Sequence, residues 1–119
     1  MEQRLYNLEK LHEIAMGDET FVRSMLVAFM ESVEADIETV KSLRSSENWF
    51  AIAEKAHKLA SNFAYLDAGS LQKQASDIEK SVINEGNLTG VAEKTDKLCN
   101  NAILLIGQLK QDFDFLRTK

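Results

Sequence analysis

Three side chains in this sequence stand out as candidates for nucleophilic or metal chemistry: His12, His57 and Cys99. A single cysteine rules out a disulfide within the chain, and no Cys/His pair has zinc-site spacing. No glycine-rich loop is present to cradle a phosphate. The carboxylates alternate with basic residues on what read as polar helix faces, where solvation is their ordinary role. A cofactor-binding or di-iron bundle is not expected, because the core-facing positions offer no ligand set. His12 falls off the Leu8, Leu11, Ala15 stripe and reads as a surface histidine. Cys99 sits beside Leu98 and reads as a small, inert hydrophobe.

His57 is placed differently. At about 100° per residue, the buried centre of its helix lies near Ala56 and Phe63, and His57 falls to the flank of that stripe. Its neighbours one and two turns away are Ala53, Ala60, Ser61 and Ala64, all small. An imidazole on so low a surface is open to a partner. A neutral imidazole nitrogen is a nucleophile near physiological pH. It can take a phosphoryl group from another protein's aspartyl phosphate, provided that partner supplies the in-line geometry and the cation. The bland alternative is a histidine on a helix flank among alanines chosen for helix propensity, and geometry alone favours it.

The composition sets the frame for that residue. With 119 residues, 45% of them hydrophobic, the chain can bury one core and is expected to be one domain, 1–119. There is no proline and glycine is sparse, which permits long helices and disfavours a sandwich or barrel. The net charge of -5 and the interleaving of basic with acidic residues argue against nucleic acid and against an anionic membrane surface. No signal-peptide core follows Met1, and the apolar run Ala102–Ile106 is too short to span a bilayer, so a cytoplasmic setting is expected.

Hydrophobic periodicity predicts five helices. The first runs from about Leu5 to Met16 and ends at Gly17. The second, roughly Glu19 to Arg44, is capped by Asp18. It buries Phe21, Met25, Leu26, Phe29, Val33, Ile37, Val40 and Leu43, and exposes Glu31, Glu34, Asp36, Glu38 and Lys41. The third runs from about Trp49 to Leu66, with a cap in Ser45–Asn48. The fourth spans about Leu71 to Asn84, capped by Asp67 or Ser70. The fifth spans roughly Leu88 to Leu116, with Gly107 inside it as a mark of close helix packing. Short loops predict an all-α, up-down-up-down antiparallel four-helix bundle with an accessory N-terminal helix.

Several segments together resemble the histidine phosphotransfer (HPt) domain family. Ala56-His57-Lys58-Leu59, preceded by Asn48-Trp49, is similar to the family's Ala-His-x-Leu signature and the Asp/Asn-Trp pair before it. Gly17-Asp18-Glu19-Thr20-Phe21 with Leu26-x-x-Phe29 resembles the opening of the preceding helix. Leu66-x-Ala68-x-x-Leu71 and Ile78-Glu79 resemble the segment after the histidine helix, so the likeness covers about residues 16–109. The resemblance implies the same bundle and a phosphorelay role. His57 would be the phosphoacceptor, receiver domains of response regulators or hybrid sensor kinases the partners, and Ala53, Ala60, Ser61 and Ala64 the docking surface. It implies a monomeric carrier without kinase activity or a cofactor of its own, with Mg2+ in the partner receiver.

One departure bears on chemistry. The family lysine one turn beyond the histidine, which steadies the phosphoryl oxygens, is Ala60 here. Lys58 points about 100° away and is a poor substitute. Lys73, the Asn62 amide and the Ser61 hydroxyl are the other candidates for phosphate support. The resemblance thus leaves two readings: a carrier with a less stabilised phosphohistidine, or a degenerate domain that docks signalling proteins without transfer.

Overall fold

Three of the helix ends are built the same way, and they set the lengths of the elements. Gly17, Asn48 and Ala68 each donate a backbone N–H five residues back, to the carbonyls of His12, Leu43 and Phe63 at 2.9–3.1 Å. The residue before each is left-handed: Met16 at φ 53°, Glu47 at 56° and Asp67 at 50°. This closure satisfies the last carbonyls of a helix and usually uses glycine. Here no glycine occupies that position, so the stop signals are only partly visible in the sequence.

The structure, a computed structural model, describes residues 3–117. Its elements are α1 (Glu9–Ile14), α2 (Glu19–Ser45), α3 (Trp49–Tyr65), α4 (Gly69–Glu79), a π-helical turn (Lys80–Asn84), α5 (Val91–Asp112) and a 3-10 turn (Asp114–Leu116). The fold class is thus all-helical among the described residues. No described helix is long and apolar enough to cross a membrane.

The caps explain two of the starts. Asp18 Oδ1 accepts the Phe21 N–H at 3.2 Å, and Asn48 Oδ1 accepts that of Ala51 at 3.3 Å. The expected Asp67 or Ser70 cap of α4 is not formed; its N-cap residue is Ala68, with no side-chain bond. The first helix is shorter than expected because Asn7 Oδ1 accepts the Glu9 N–H at 2.8 Å, an Asx turn that competes with helix.

Residues 3–8 instead form a strap. Leu5 N–H donates to Gln108 Oε1 at 2.8 Å, the Gln108 amide donates to the Gln3 carbonyl at 2.9 Å, and Asn7 N–H donates to the Leu66 carbonyl at 2.9 Å. Arg4 grips Asp112 at 2.6 and 2.9 Å, and the Tyr6 hydroxyl donates to the same carboxylate. The hydrogen bonds from Arg4, then from Tyr6, hold the Asp112 carboxyl below its usual range. Burial, then the adjacent carboxylate, pushes the Tyr6 phenol up.

α3 packs most extensively on α4; α2 contacts α3 and α5, and α4 contacts α5. Polar pairs bridge the seams: Asn62–Ser32 at 3.1 Å, Lys110–Glu34 at 3.2 Å, Arg44–Asp96 at 3.1 Å and Asn101–Gln74 at 3.1 Å. Leu26, Ile37, Ile52, Leu59, Phe63, Leu71, Ile78, Leu98, Leu105 and Leu109 fill the centre. The α2 stripe is rotated in its first half: Val22 and Met30 are buried, whereas Phe21 is 46% exposed. Met25, Phe29 and Leu43 pack at the core's edge. Asp36, read from sequence as solvent-facing, is 4% exposed. Burial also raises the Cys99 thiol, in keeping with an unreactive side chain.

Gly107 does not mark close packing. It is exposed, and a Cβ built there meets nothing within 4 Å. Gly107→Ala is therefore expected to stabilise the protein by about 1 kcal/mol. That is a rise of about 4 °C in Tm, readable by circular dichroism. The strap carries a pH signature. A carboxyl whose folded pKa is depressed stabilises the fold above the unfolded pKa, and the gain is lost as pH falls through the folded value. Asp112→Asn is expected to lower Tm at neutral pH and to match the wild type at strongly acidic pH, where both carry a neutral side chain.

Candidate functional site

α3 presents His57 at the rim of its seam with α4. The α-helical step places Phe50, Glu54, His57, Ser61 and Ala64 along one outward face of α3, with Ala53 and Ala60 turned from it towards α4. The small residues matter here. Ala53, Ala56, Ala68 and Ala75 are all buried and carry only a methyl group, so α3 and α4 can approach closely. The approach brings Glu79, the last residue before the π turn, up to the imidazole.

His57 Nδ1 lies 2.8 Å from Glu79 Oε2, and the histidine side chain is 70% exposed. A carboxylate at that distance accepts the Nδ1–H and selects the neutral tautomer whose Nε2 carries a lone pair. Nε2 then carries its lone pair on a side chain that is mostly exposed. Glu79 thereby positions the imidazole ring. Sequence reasoning reaches it only as part of Ile78-Glu79; the available signal is its place one residue past a buried Ile78, on the flank of α4.

A shallow hollow beside the imidazole is lined by Ala53, Glu54, His57, Glu79 and Ile83. Ile83 is 43% exposed and Phe50 62% exposed. These two apolar side chains border the N-terminal side of the site, and the sequence alone does not single them out. The wide π turn carries Ile83 outward while burying Ser81, whose hydroxyl is 3.3 Å from Lys94 Nζ.

The other expected site residues are dispersed. Ala53 is fully buried, which corrects its place in the docking surface: it floors the hollow and offers no side-chain area of its own. Ala60 and Ala64 are half-buried and Ser61 is exposed. Lys58 Nζ reaches Asp36 Oδ1 at 3.5 Å on the α2 side, and Lys73 Nζ pairs with Asp77 at 3.1 Å. Asn62 donates to Ser32. None of Lys58, Lys73 and Asn62 lines the hollow beside His57. His12 lies 3.7 Å from Glu19.

Glu9 with His12, and Glu54 with His57, have the Glu-x-x-His spacing of di-iron bundles. The glutamates and His57 lie on exposed faces, and His12 is only half-buried. Among the described residues, no group of three or more His, Cys, Asp or Glu side chains is arranged to hold a metal ion.

Comparison with known proteins adds independent information. The model of the Hpt domain family matches residues 24–118. The chain is 24% identical over 75 residues to the virulence sensor protein BvgS of Bordetella bronchiseptica, and equally to that of Bordetella parapertussis. The match covers 63% of this chain and 6% of each of those proteins. No solved structure matches the chain.

The tautomer assignment is testable by nitrogen NMR of the His57 ring. The wild type is expected to show Nδ1 protonated and Nε2 free in the neutral form. Glu79→Ala removes the acceptor of the Nδ1–H and should mix the tautomers.

Proposed function

The chain belongs to the Hpt domain family, and from that premise we propose that it is a phosphoryl carrier of a two-component phosphorelay. His57 accepts a phosphoryl group from the aspartyl phosphate of one receiver domain and passes it to another. The observation that carries this reading is an exposed imidazole whose Nδ1 is held by Glu79, leaving Nε2 as an outward nucleophile. A sensor protein among the relatives is in keeping with a signalling role.

The step balances without a group of the protein's own. The Nε2 lone pair attacks phosphorus, the N–P bond forms, and the aspartyl C(O)O–P bond breaks with the carboxylate leaving. The product ring keeps its Nδ1–H and its added positive charge faces Glu79. Return to a second receiver reverses these events. The receiver supplies Mg2+ and the phosphoryl-binding groups, so the domain acts as a carrier and not as a kinase.

The geometry supports docking on the outward face of α3, with Ser61, Ala64 and the edge of Ala60 beside His57 and with Phe50 and Ile83 at the rim. The helix contacts and bridging pairs favour an up-down-up-down antiparallel bundle of α2, α3, α4 and α5, with α1 and the strap accessory to it. Such a carrier works as a monomer in the cytoplasm, between receiver domains of hybrid sensor kinases and response regulators.

The test is direct. A purified receiver domain carrying labelled aspartyl phosphate, mixed with this protein and Mg2+, is expected to place an acid-labile, base-stable label on the wild type and none on His57→Gln. A wild type that binds the receiver but takes no label would overturn the carrier reading and leave a docking module.

A further inference from the structure

The family's phosphate-supporting lysine is Ala60 in this chain, and the residues lining the hollow beside His57 include two carboxylates and no cation. A phosphoryl group on Nε2 would add two negative charges to that surrounding. A cation is nonetheless close, on the next residue.

Asp36 of α2 is 4% exposed and holds two ammonium groups at once. Its Oδ1 lies 3.5 Å from Lys58 Nζ and 3.8 Å from Lys55 Nζ, and its Oδ2 has no hydrogen-bond partner among the described residues. A buried carboxylate needs a counter-charge, and losing its last one is strongly unfavourable. One lysine neutralises it, so the second can leave without stranding the acid. The two lysines are not equivalent. Lys58 has 57% of its side chain exposed against 37% for Lys55. Lys58 also stands on the border between the α2 seam and the His57 face, about 100° from the histidine, with the low Ser61 and the exposed Glu54 between them. Its flexible four-carbon stem allows the ammonium to swing.

We infer that Lys58 is a transferable cation, resting on Asp36 while His57 is unmodified and moving onto the phosphoryl oxygens once His57 is phosphorylated, with Lys55 left to neutralise Asp36. This rests on the carrier reading and names the device that replaces the missing lysine. Asp36 is then a positioning residue, acting through Lys58 and never touching the phosphoryl group.

Phosphoramidate tests it without any partner protein. Nε2 attacks phosphorus, the P–N bond of the reagent breaks, and ammonia leaves with the electron pair. The half-life of phosphohistidine on the full chain is then tracked by phosphorus NMR. Lys58→Met is expected to shorten it about threefold, the worth of one exposed charge-assisted contact. Asp36→Asn removes the competitor and is expected to lengthen it, and Asp36→Asn with Lys58→Met should match Lys58→Met alone. A wild-type half-life in Lys58→Met overturns the proposal, as does a gain from Asp36→Asn that survives in the double variant, or failure of His57 to take the label. If Asp36→Asn does not fold, the comparison of wild type with Lys58→Met still decides. His57 that is labelled by phosphoramidate but not by a receiver would sink the carrier reading while this lifetime order remains measurable.

Discussion

The narrow seam between α3 and α4 governs the rest of the site. In the proposed carrier, an acceptor imidazole must be open to a partner and yet held in one tautomer, and those demands conflict on an exposed helix face. Buried alanines on both helices resolve the conflict by letting α4 come close enough for a single carboxylate to touch the ring from the side. Larger residues at those positions would widen the seam and leave the histidine as one more mobile surface side chain. Overpacking such a seam is itself destabilising.

Much of the helical framework is legible in the sequence because its signals are local. Proline is absent, the apolar stripes of α3 and α5 have clear periodicity, and Asp18 and Asn48 stand where caps are needed. His57 can be chosen because its small neighbours and the motif order around it are both sequence properties. The features that escape depend on partners distant in the chain. Asp36 reads as an exposed acid until Lys55 and Lys58 are seen above it from α3. Glu79 acquires a role only when α4 is folded back on α3. The strap reads as helix because Leu5 and Leu8 fall in a helical register, whereas Gln108 and Asn7 divert the backbone.

The charges divide into two regions on either side of α3. Towards α4 lies the carboxylate of Glu79, which would suit an imidazole made cationic by the proposed phosphorylation, while Glu54 stands on the outward face of α3. Towards α2 lie the ammonium groups gathered on Asp36. The histidine sits between them. In the proposed carrier, an anionic phosphoryl group on the histidine would be drawn to the ammonium side.

The π turn at Lys80–Asn84 has a consequence for how this surface can change over evolutionary time. A π turn accommodates one more residue than an α turn, and such turns occur mostly as single-turn bulges within α-helices. Loss of one residue there would let the segment relax into ordinary helix without disturbing α4 up to Glu79. His57 and Glu79 would keep their geometry, while Ile83 would be re-aimed around the helix axis. The apolar rim beside His57 can thus be redrawn by a change of length, independently of the His57–Glu79 pair it borders.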